Sequence, residues 1–412
     1  MEVKPGYKQT EVGVIPKEWK AISLSQTAKR ISRGASPRPI DNPVWFDSRS
    51  SVGWVRISDV THSGRYLFDT TQRLSEEGVR RSRPVPSGSL IMSICATVGR
   101  PIETRIDTCI HDGFVVFDQP LIDQSYLYHV LAALEPTWSQ HGQTGSQMNL
   151  NTGLINSCLI PLPASEIEQR AIATALSDMD ALLDGLDRLF AKKHAIKQAT
   201  MQQLLTGQTR LPGFSGAWEI KRLGDLADIR SGGTPSTGDA AAWDGAVPWC
   251  TPTDISLLEG RKYLTTTNRT ITEHGLRNSS AELLPVNSIV MTSRATIGEC
   301  AINTVPMATN QGFKNLVPFD FVDMEFLYYL LCIQTQGLVG LSAGSTFLEI
   351  GKTQIRQYEV RLPSTKDEQI AIASILSDMD TEIAALEIRH TKTRALKQAM
   401  MQELLTGRTR LI

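Results

Sequence analysis

The segment Ala171–Leu186, AIATALSDMDALLDGL, returns 200 residues later as Ala371–Leu386, AIASILSDMDTEIAAL. Nothing else in the chain restricts the fold as much, because an internal repeat ties every conclusion about one copy to the other. From Gln169 to Leu211 and from Gln369 to Leu411 the copies align without a gap. About 24 of those 43 positions are identical, far more than unrelated segments share. Apolar residues fall at Ile172, Leu176, Met179, Leu183, Leu186 and Phe190. In the second copy they fall at Ile372, Leu376, Met379, Ile383 and Leu386, with His390 next. Steps alternating four and three mark the seam of a coiled coil and predict a long helix in each copy. Gly207 and Gly407 stand where a C′ glycine ends such a helix. About 40 helical residues make a rod of roughly 60 Å. Beyond Phe190 the heptad meets Lys193, Lys197 and Thr200, with Lys397 in the second copy, while Ile196, Met201, Leu204 and Leu205 are apolar. This reads as a phase slip halfway along each rod.

The stretches preceding the rods, about 150 residues each, also correspond. Trp19 and Leu24 match Trp218 and Leu223. SRGASP (Ser32–Pro37) answers SGGTPS (Ser231–Ser236), and WVRISDV (Trp54–Val60) answers WCTPTDI (Trp249–Ile255). LIMSICATVG (Leu90–Gly99) answers IVMTSRATIG (Ile289–Gly298), and HDGF (His111–Phe114) answers NQGF (Asn310–Phe313). Short β-like runs punctuated by Gly, Pro, Ser and Asn alternate with short helical patterns, so each stretch predicts an α/β (α+β) globule. The organisation is globule 1–164, helix 165–210, globule 211–363 and helix 364–412. A short path back favours antiparallel helices with the globules at opposite ends, related by an internal pseudo-two-fold. The end TGRTRLI followed by the start VGVIPKEWKAISL reproduces the internal junction TGQTRLPGFSGAWEIKRL. The repeat is therefore cyclic in its logic.

Composition narrows the class. A chain of 412 residues exceeds one ordinary core. No leading apolar segment reads as a signal peptide and no run is long enough for a bilayer, which places the chain in the cytoplasm with no membrane partner. Six scattered cysteines without CxxC spacing read as reduced thiols, not a zinc site. A net charge of −1 leaves any phosphate-binding surface to local patches.

Two similar but divergent heads on a fixed spacer suit the reading of two different short features at a set distance. With GYKQTEVGVIPKEW, GGTPS, TPTDI, ATIG, NQGF, SDMD and KQAMMQELLTG, the whole chain resembles the specificity (S) subunit of type I restriction–modification enzymes. The resemblance implies two target recognition domains, each reading one half of a split, asymmetric site in double-stranded DNA. It implies two helices that act as a ruler and dock two methyltransferase (M) subunits, with restriction (R) subunits joining to form the nuclease. S-adenosylmethionine, ATP and Mg2+ are then used by those partners, and this chain binds no cofactor and catalyses nothing.

The residues offer their own candidates. Arg and Lys suit guanine edges and phosphates, whereas Asn and Gln suit adenine. The first globule offers Arg33 and Arg38 in a Gly/Pro loop, the run Arg80, Arg81 and Arg83, and a polar loop with Gln143, Ser146, Gln147, Asn149 and Asn151. The second offers Thr234 and Ser236, then Arg294, Asn310, Gln311 and Lys314, then Ser345, Thr346, Lys352 and Gln354. Each alone is more often an ordinary surface residue than a base contact. Trp45, Trp54, Trp243 and Trp249 read as core packing in preference to base stacking.

Other motifs are refused. GSTFLEIGKT has six residues between Gly344 and Gly351 where a phosphate-binding loop needs four. Asp178 and Asp180, like Asp378 and Asp380, diverge by about 200° on a helix and read as surface charges, not an acid–base or metal pair. Seven histidines form no ligand-like cluster. No methyltransferase, nuclease or helicase motif stands out. The alternatives are a specificity chain serving methyltransferase subunits alone and a two-headed protein-binding scaffold.

Overall fold

A computed structural model of the chain describes residues 4–141, 150–342 and 349–411. The repeat forms two long helices, α1 (Glu166–Leu205) and α2 (Lys366–Leu404). Gly207 and Gly407 follow them with φ of 71° and 70°, the left-handed conformation that stops a helix cheaply only at glycine. Ile172, Leu176, Leu186, Ile372, Leu376 and Ile383 are buried, and Met179, Leu183, Met379 and Leu386 half-buried.

The seam keeps its heptad register through half-buried Lys193, Lys197 and Thr200 into buried Leu204, and Ile196 is 40% exposed, so no phase slip occurs at Lys193. Met201 and Leu205 are buried as expected, but against the core of unit 2. The seam changes chemistry but keeps its period, because its lysines meet carboxylates on the facing helix. Lys193 pairs with Glu382 at 2.6 Å and Lys197 with Asp380, and Lys397 pairs with Asp180 in the same manner. Long aliphatic stems let such lysines line a packed seam while their ammonium groups find charge. Asp180 and Asp380 are thus helix–helix partners, not free surface charges; Asp178 and Asp378 are exposed.

The chain divides into two compact units, unit 1 (Met1–Asp187 with Arg389–Ile412) and unit 2 (Arg188–Ile388). Each unit is a globule plus one half of each long helix. Within unit 1 the ion pairs Asp180–Lys397 and Asp187–His390 run in opposite senses along the two segments, so these are antiparallel. Within unit 2, Lys193–Glu382 and Lys197–Asp380 show the same.

Both globules have one topology. In unit 1 a five-stranded sheet runs Ala28–Arg33, Phe114–Pro120, Leu90–Ser93, Pro101–Thr104 and Tyr66–Leu67, antiparallel except for the last pair. In unit 2 the order is Ala227–Ser231, Lys314–Pro318, Ile289–Met291, Cys300–Asn303 and Tyr263–Leu264, again with a parallel last pair. A second, smaller sheet in each is built around Trp54 or Trp249, with Gly53–Val55 parallel to Thr108–Ile110 and Trp243–Cys250 parallel to Ala308–Thr309. A two-stranded ribbon closes each globule, Lys20–Ser23 with Leu159–Leu162 and Trp218–Arg222 with Glu359–Pro363. The mixed α+β class read from the sequence is the one observed.

The ribbons anchor the globules to the helices. Trp19 donates its indole N–H to Glu168 at 3.1 Å, and Glu168 also receives the Arg410 guanidinium through Nη2 at 2.9 Å and through Nε. Unit 2 repeats the set, with Trp218 at 3.3 Å from Glu368 and Arg210 at 2.6 and 2.8 Å. Gln169 and Gln369, one residue on, accept from the backbone of Asp123 and Asp323 at 3.0 and 2.8 Å.

Deeper along the same junction the units differ. In unit 1 the buried Arg65 binds Glu103 at 2.6 Å, Ser125 at 2.8 Å and Ser177 of α1 at 2.6 Å, and His129 lies 3.0 Å from Ser177. In unit 2 Lys262, Glu325, Tyr329 and Ser377 fill the place. Burial, reinforced by Arg65 and Lys397, pushes the His129 imidazole down to about 3. A histidine depressed in the fold takes up its proton on unfolding, so its stabilising effect is complete above its unfolded pKa near 6.5 and lost as pH falls toward 3. This residue should make unfolding easier by about 1.4 kcal/mol per pH unit within that window. Melting curves of the native chain and of His129→Gln at several acidic pH values check it; the variant should lose that part of the slope.

No helix among the described residues is long and apolar enough to cross a membrane, and no group of three or more His, Cys, Asp or Glu among them could hold a metal.

Candidate nucleic-acid interface

In each globule two loops come together where the sheets end. The first follows strand Ala28–Arg33 or Ala227–Ser231, and the second is the HDGF or NQGF turn. Their backbones are locked in the same way. Gly34 N–H donates to Phe114 at 2.9 Å and Ala35 to Ile110 at 3.0 Å; Gly232 donates to Phe313 at 3.3 Å and Gly233 to Thr309 at 2.9 Å. A Cβ on Gly34 or Gly232 would run into the carbonyl of His111 or Asn310, so the close approach admits only glycine. These bonds shift the sequence alignment by one residue: Ser36, not Ala35, is the equivalent of Thr234. Trp45 and Trp243 hold the loop from its far side, donating their indoles to Pro39 at 2.7 Å and Ser236 at 3.0 Å. Both rings are half-buried, whereas Trp54 and Trp249 are buried as expected.

On this common frame the side chains diverge. In unit 1, Ser36 donates to the Asp112 carboxylate at 2.9 Å, and Arg33 Nε to the Asp112 carbonyl at 2.6 Å. His111 Nδ1 accepts from Gly113 N–H at 2.8 Å. An open cleft of about 630 Å³ lies here, lined by Ser36, Arg38, Trp54, Arg56, His111 and Asp112 among others. Burial lowers the His111 pKa against the opposing pull of Asp112. Asp112 is lowered too: partial burial raises it, but the Ser36 hydroxyl, its backbone bond and the nearby His111 and Arg33 outweigh that. The site therefore presents an ionised carboxylate beside exposed guanidinium groups.

In unit 2 the loop side chains at the same corner are uncharged, and its guanidinium comes from another strand: Arg269, paired with Trp249 where unit 1 pairs Gln72 with Trp54, lies 3.8 Å from the centre of the Trp243 ring. Thr234 donates to Gln311, and Asn310 Oδ1 accepts from Gly312 N–H at 2.9 Å. Thr251 stands where unit 1 has Arg56, each with its backbone N–H capped by an equivalent buried aspartate, Asp254 at 2.7 Å or Asp59 at 2.8 Å. Ser236 is exposed on the loop.

The other candidates scatter. Arg294 is exposed and pairs with Glu349 at 2.9 Å. Lys314 is not a surface residue: it is 7% exposed beside Ser293, and burial lowers its pKa, with Glu349 opposing and Arg294 and Lys352 adding to the drop. Lys352 opens the short helix Lys352–Gln357 and is exposed, while Gln354 caps that helix through Gly351 N–H at 2.8 Å. Arg80 and Arg81 are exposed but both engage Glu77, at 3.1 and 3.5 Å. Arg83 lines a separate cleft with Lys29 and Arg30. Asn151 spends its side chain capping the helix Thr152–Ser157, accepting from Leu154 N–H at 2.8 Å. Gln143, Ser146, Gln147, Asn149, Ser345 and Thr346 lie outside the described residues. Sequence reasoning did not single out Arg56, His111 or Asp112. The signal was present, since Asp112 sits opposite Gln311 in the HDGF/NQGF match.

Comparison with known proteins places this architecture. Residues 216–395 match the family model described as type I restriction modification DNA specificity domain. The type I restriction enzyme MjaIX specificity subunit of Methanocaldococcus jannaschii is 39% identical over 165 residues, covering 40% of this chain and 38% of that protein. The EcoR124I/EcoR124II specificity subunit of Escherichia coli is 26% identical over 230 residues, 54% of this chain and 55% of the relative. The chain thus spans about half or less of the length of these curated relatives. The crystal structure of a type I restriction–modification system S subunit from M. genitalium superposes with a TM-score of 0.59 at 12% identity, covering 98% of both chains. The resemblance read from the sequence is borne out: the chain carries a type I restriction–modification DNA specificity domain and has the fold of that family's S subunits.

Proposed function

We propose that this chain is the DNA-reading specificity subunit of a type I restriction–modification complex, each globule reading one half of a split, asymmetric site. The observation that carries the reading is the contrast between frame and face. The two globules share topology, loop locks and helix anchors, yet present Arg56 and Asp112 in one corner and Thr251, Gln311 and Arg269 in the other. A pair of equal frames with unequal recognition chemistry suits two different short base sequences. The two long helices set the gap between half-sites and dock two methyltransferase subunits, and restriction subunits complete the nuclease. In this reading the chain is not an enzyme and binds no cofactor. S-adenosylmethionine, ATP and Mg2+ serve the partners, and the complex works in the cytoplasm.

The test is a methylome. The chain is co-expressed with its methyltransferase in a host lacking adenine methylation, and modified adenines are mapped by long-read sequencing. A two-part motif with a fixed gap, lost when this chain is deleted, is the expected result. Formation of an active complex with no such motif would sink the reading in favour of a protein-binding scaffold.

A further inference from the structure

The corner formed by the two loops shows which residues make the half-sites differ. Asp112 and Gln311 occupy one equivalent position, each held by a hydroxyl from the first loop, Ser36 and Thr234. Both are exposed. We propose that these are specificity-determining residues: Asp112 selects a G·C pair by accepting a hydrogen bond from cytosine N4, and Gln311 selects an A·T pair by engaging adenine N6 and N7. The inference rests on the DNA-reading function proposed above and goes beyond it by assigning a base pair to a residue in each half.

Three observations converge. A carboxylate is acceptor-only, so among major-groove edges it matches an amino group, while a carboxamide carries the donor and acceptor that adenine displays. Unit 1 adds two guanidinium groups to the same cleft, from Arg38 and Arg56, the side chain best matched to O6 and N7 of the guanine in that pair. Where Asp112 is replaced by Gln311, Arg56 is replaced by Thr251, and the guanidinium of unit 2 moves to Arg269, stacked on Trp243, so the charge pattern changes with the reader. The Ser36 and Thr234 hydroxyls fix the rotamer of the reader before DNA arrives, which favours discrimination over adaptability.

The test uses the whole complex and two variants, Asp112→Asn and Gln311→Glu, with methylomes compared to the native one. Asparagine retains an acceptor for Ser36, so the loop lock survives. Asp112→Asn should lower methylation at native sites on the order of tenfold and change preference at a single G·C position in one half-site, leaving the other half intact. Gln311→Glu should do the same at an A·T position in the opposite half. A native split motif that both variants reproduce at the native level overturns this inference alone, as does a change confined to the wrong base pair. Absence of any split motif from the native complex defeats the underlying reading, and this inference with it.

Discussion

Arg65→Ala should cost unit 1 about 3–5 kcal/mol, the penalty for stranding one member of a buried ion pair. Arg65 and Glu103 have side chains only 6% and 5% exposed. Both Nε and Nη2 of the arginine reach one oxygen of Glu103, at 2.8 and 2.6 Å, and its remaining donors serve Ser125, Ser177 and His129. Among the described residues, truncation leaves Glu103 the guanidinium of Arg105, 3.7 Å away and itself 41% exposed. Replacing both partners by apolar residues of similar volume, Arg65→Met with Glu103→Leu, should restore most of the loss, because it removes the stranded charge as well as the pair. The corresponding Lys262→Ala in unit 2 should cost less, since Glu325 is 24% exposed and retains water. Amide hydrogen exchange in the strands Leu90–Ser93 and Phe114–Pro120 reports unit 1 separately; protection unchanged in Arg65→Ala would refute the expectation.

Trp19→Ala should be comparably damaging, about 3–5 kcal/mol for an aromatic side chain removed from a packed core. The ring is fully buried among the residues that include Ile172, Leu176, Leu404 and Leu405. Its loss also removes one donor from Glu168, which is 1% exposed and would depend on Arg410 alone. Trp19→Phe keeps most of the ring volume and should cost only about 1 kcal/mol beyond the volume change, for the missing hydrogen bond. Thermal denaturation of the three proteins separates the two contributions. Equal melting of Trp19→Phe and Trp19→Ala would place the energy in the hydrogen bond instead of the packing.

The helices and the division into repeats were legible because they rest on period and identity, which a one-dimensional string carries directly. The seam was misread where Lys193 and Lys197 enter it, since their partners Asp380 and Glu382 lie nearly 190 positions away in sequence. Polar residues look like the end of a seam until the facing carboxylates are known. The recognition corner was half legible for the same reason. Gln311 and Thr234 were singled out by residue type, but Asp112 was not among the candidates, which were basic, amide and hydroxyl side chains. Its meaning comes from its equivalence to Gln311 and from Arg56, contributed by a distant strand end. Lys314 failed in the opposite direction: a lysine after a glycine turn reads as exposed, and only its place within a central strand of the sheet buries it.

Unit 1 is discontinuous, and this gives the order of synthesis a physical meaning. Its core includes Leu404 and Leu405, and its Glu168 waits for Arg410, all of them made after the whole of unit 2. Unit 2 is one continuous stretch, Arg188–Ile388. The domain made first is therefore the domain finished last, and Trp19, Ile172 and Leu176 remain without their final neighbours for the translation of more than 200 codons, on the order of ten seconds or more at ordinary elongation rates. During that interval the N-terminal globule is open to chaperones and proteases for longer than a continuous domain of the same size would be.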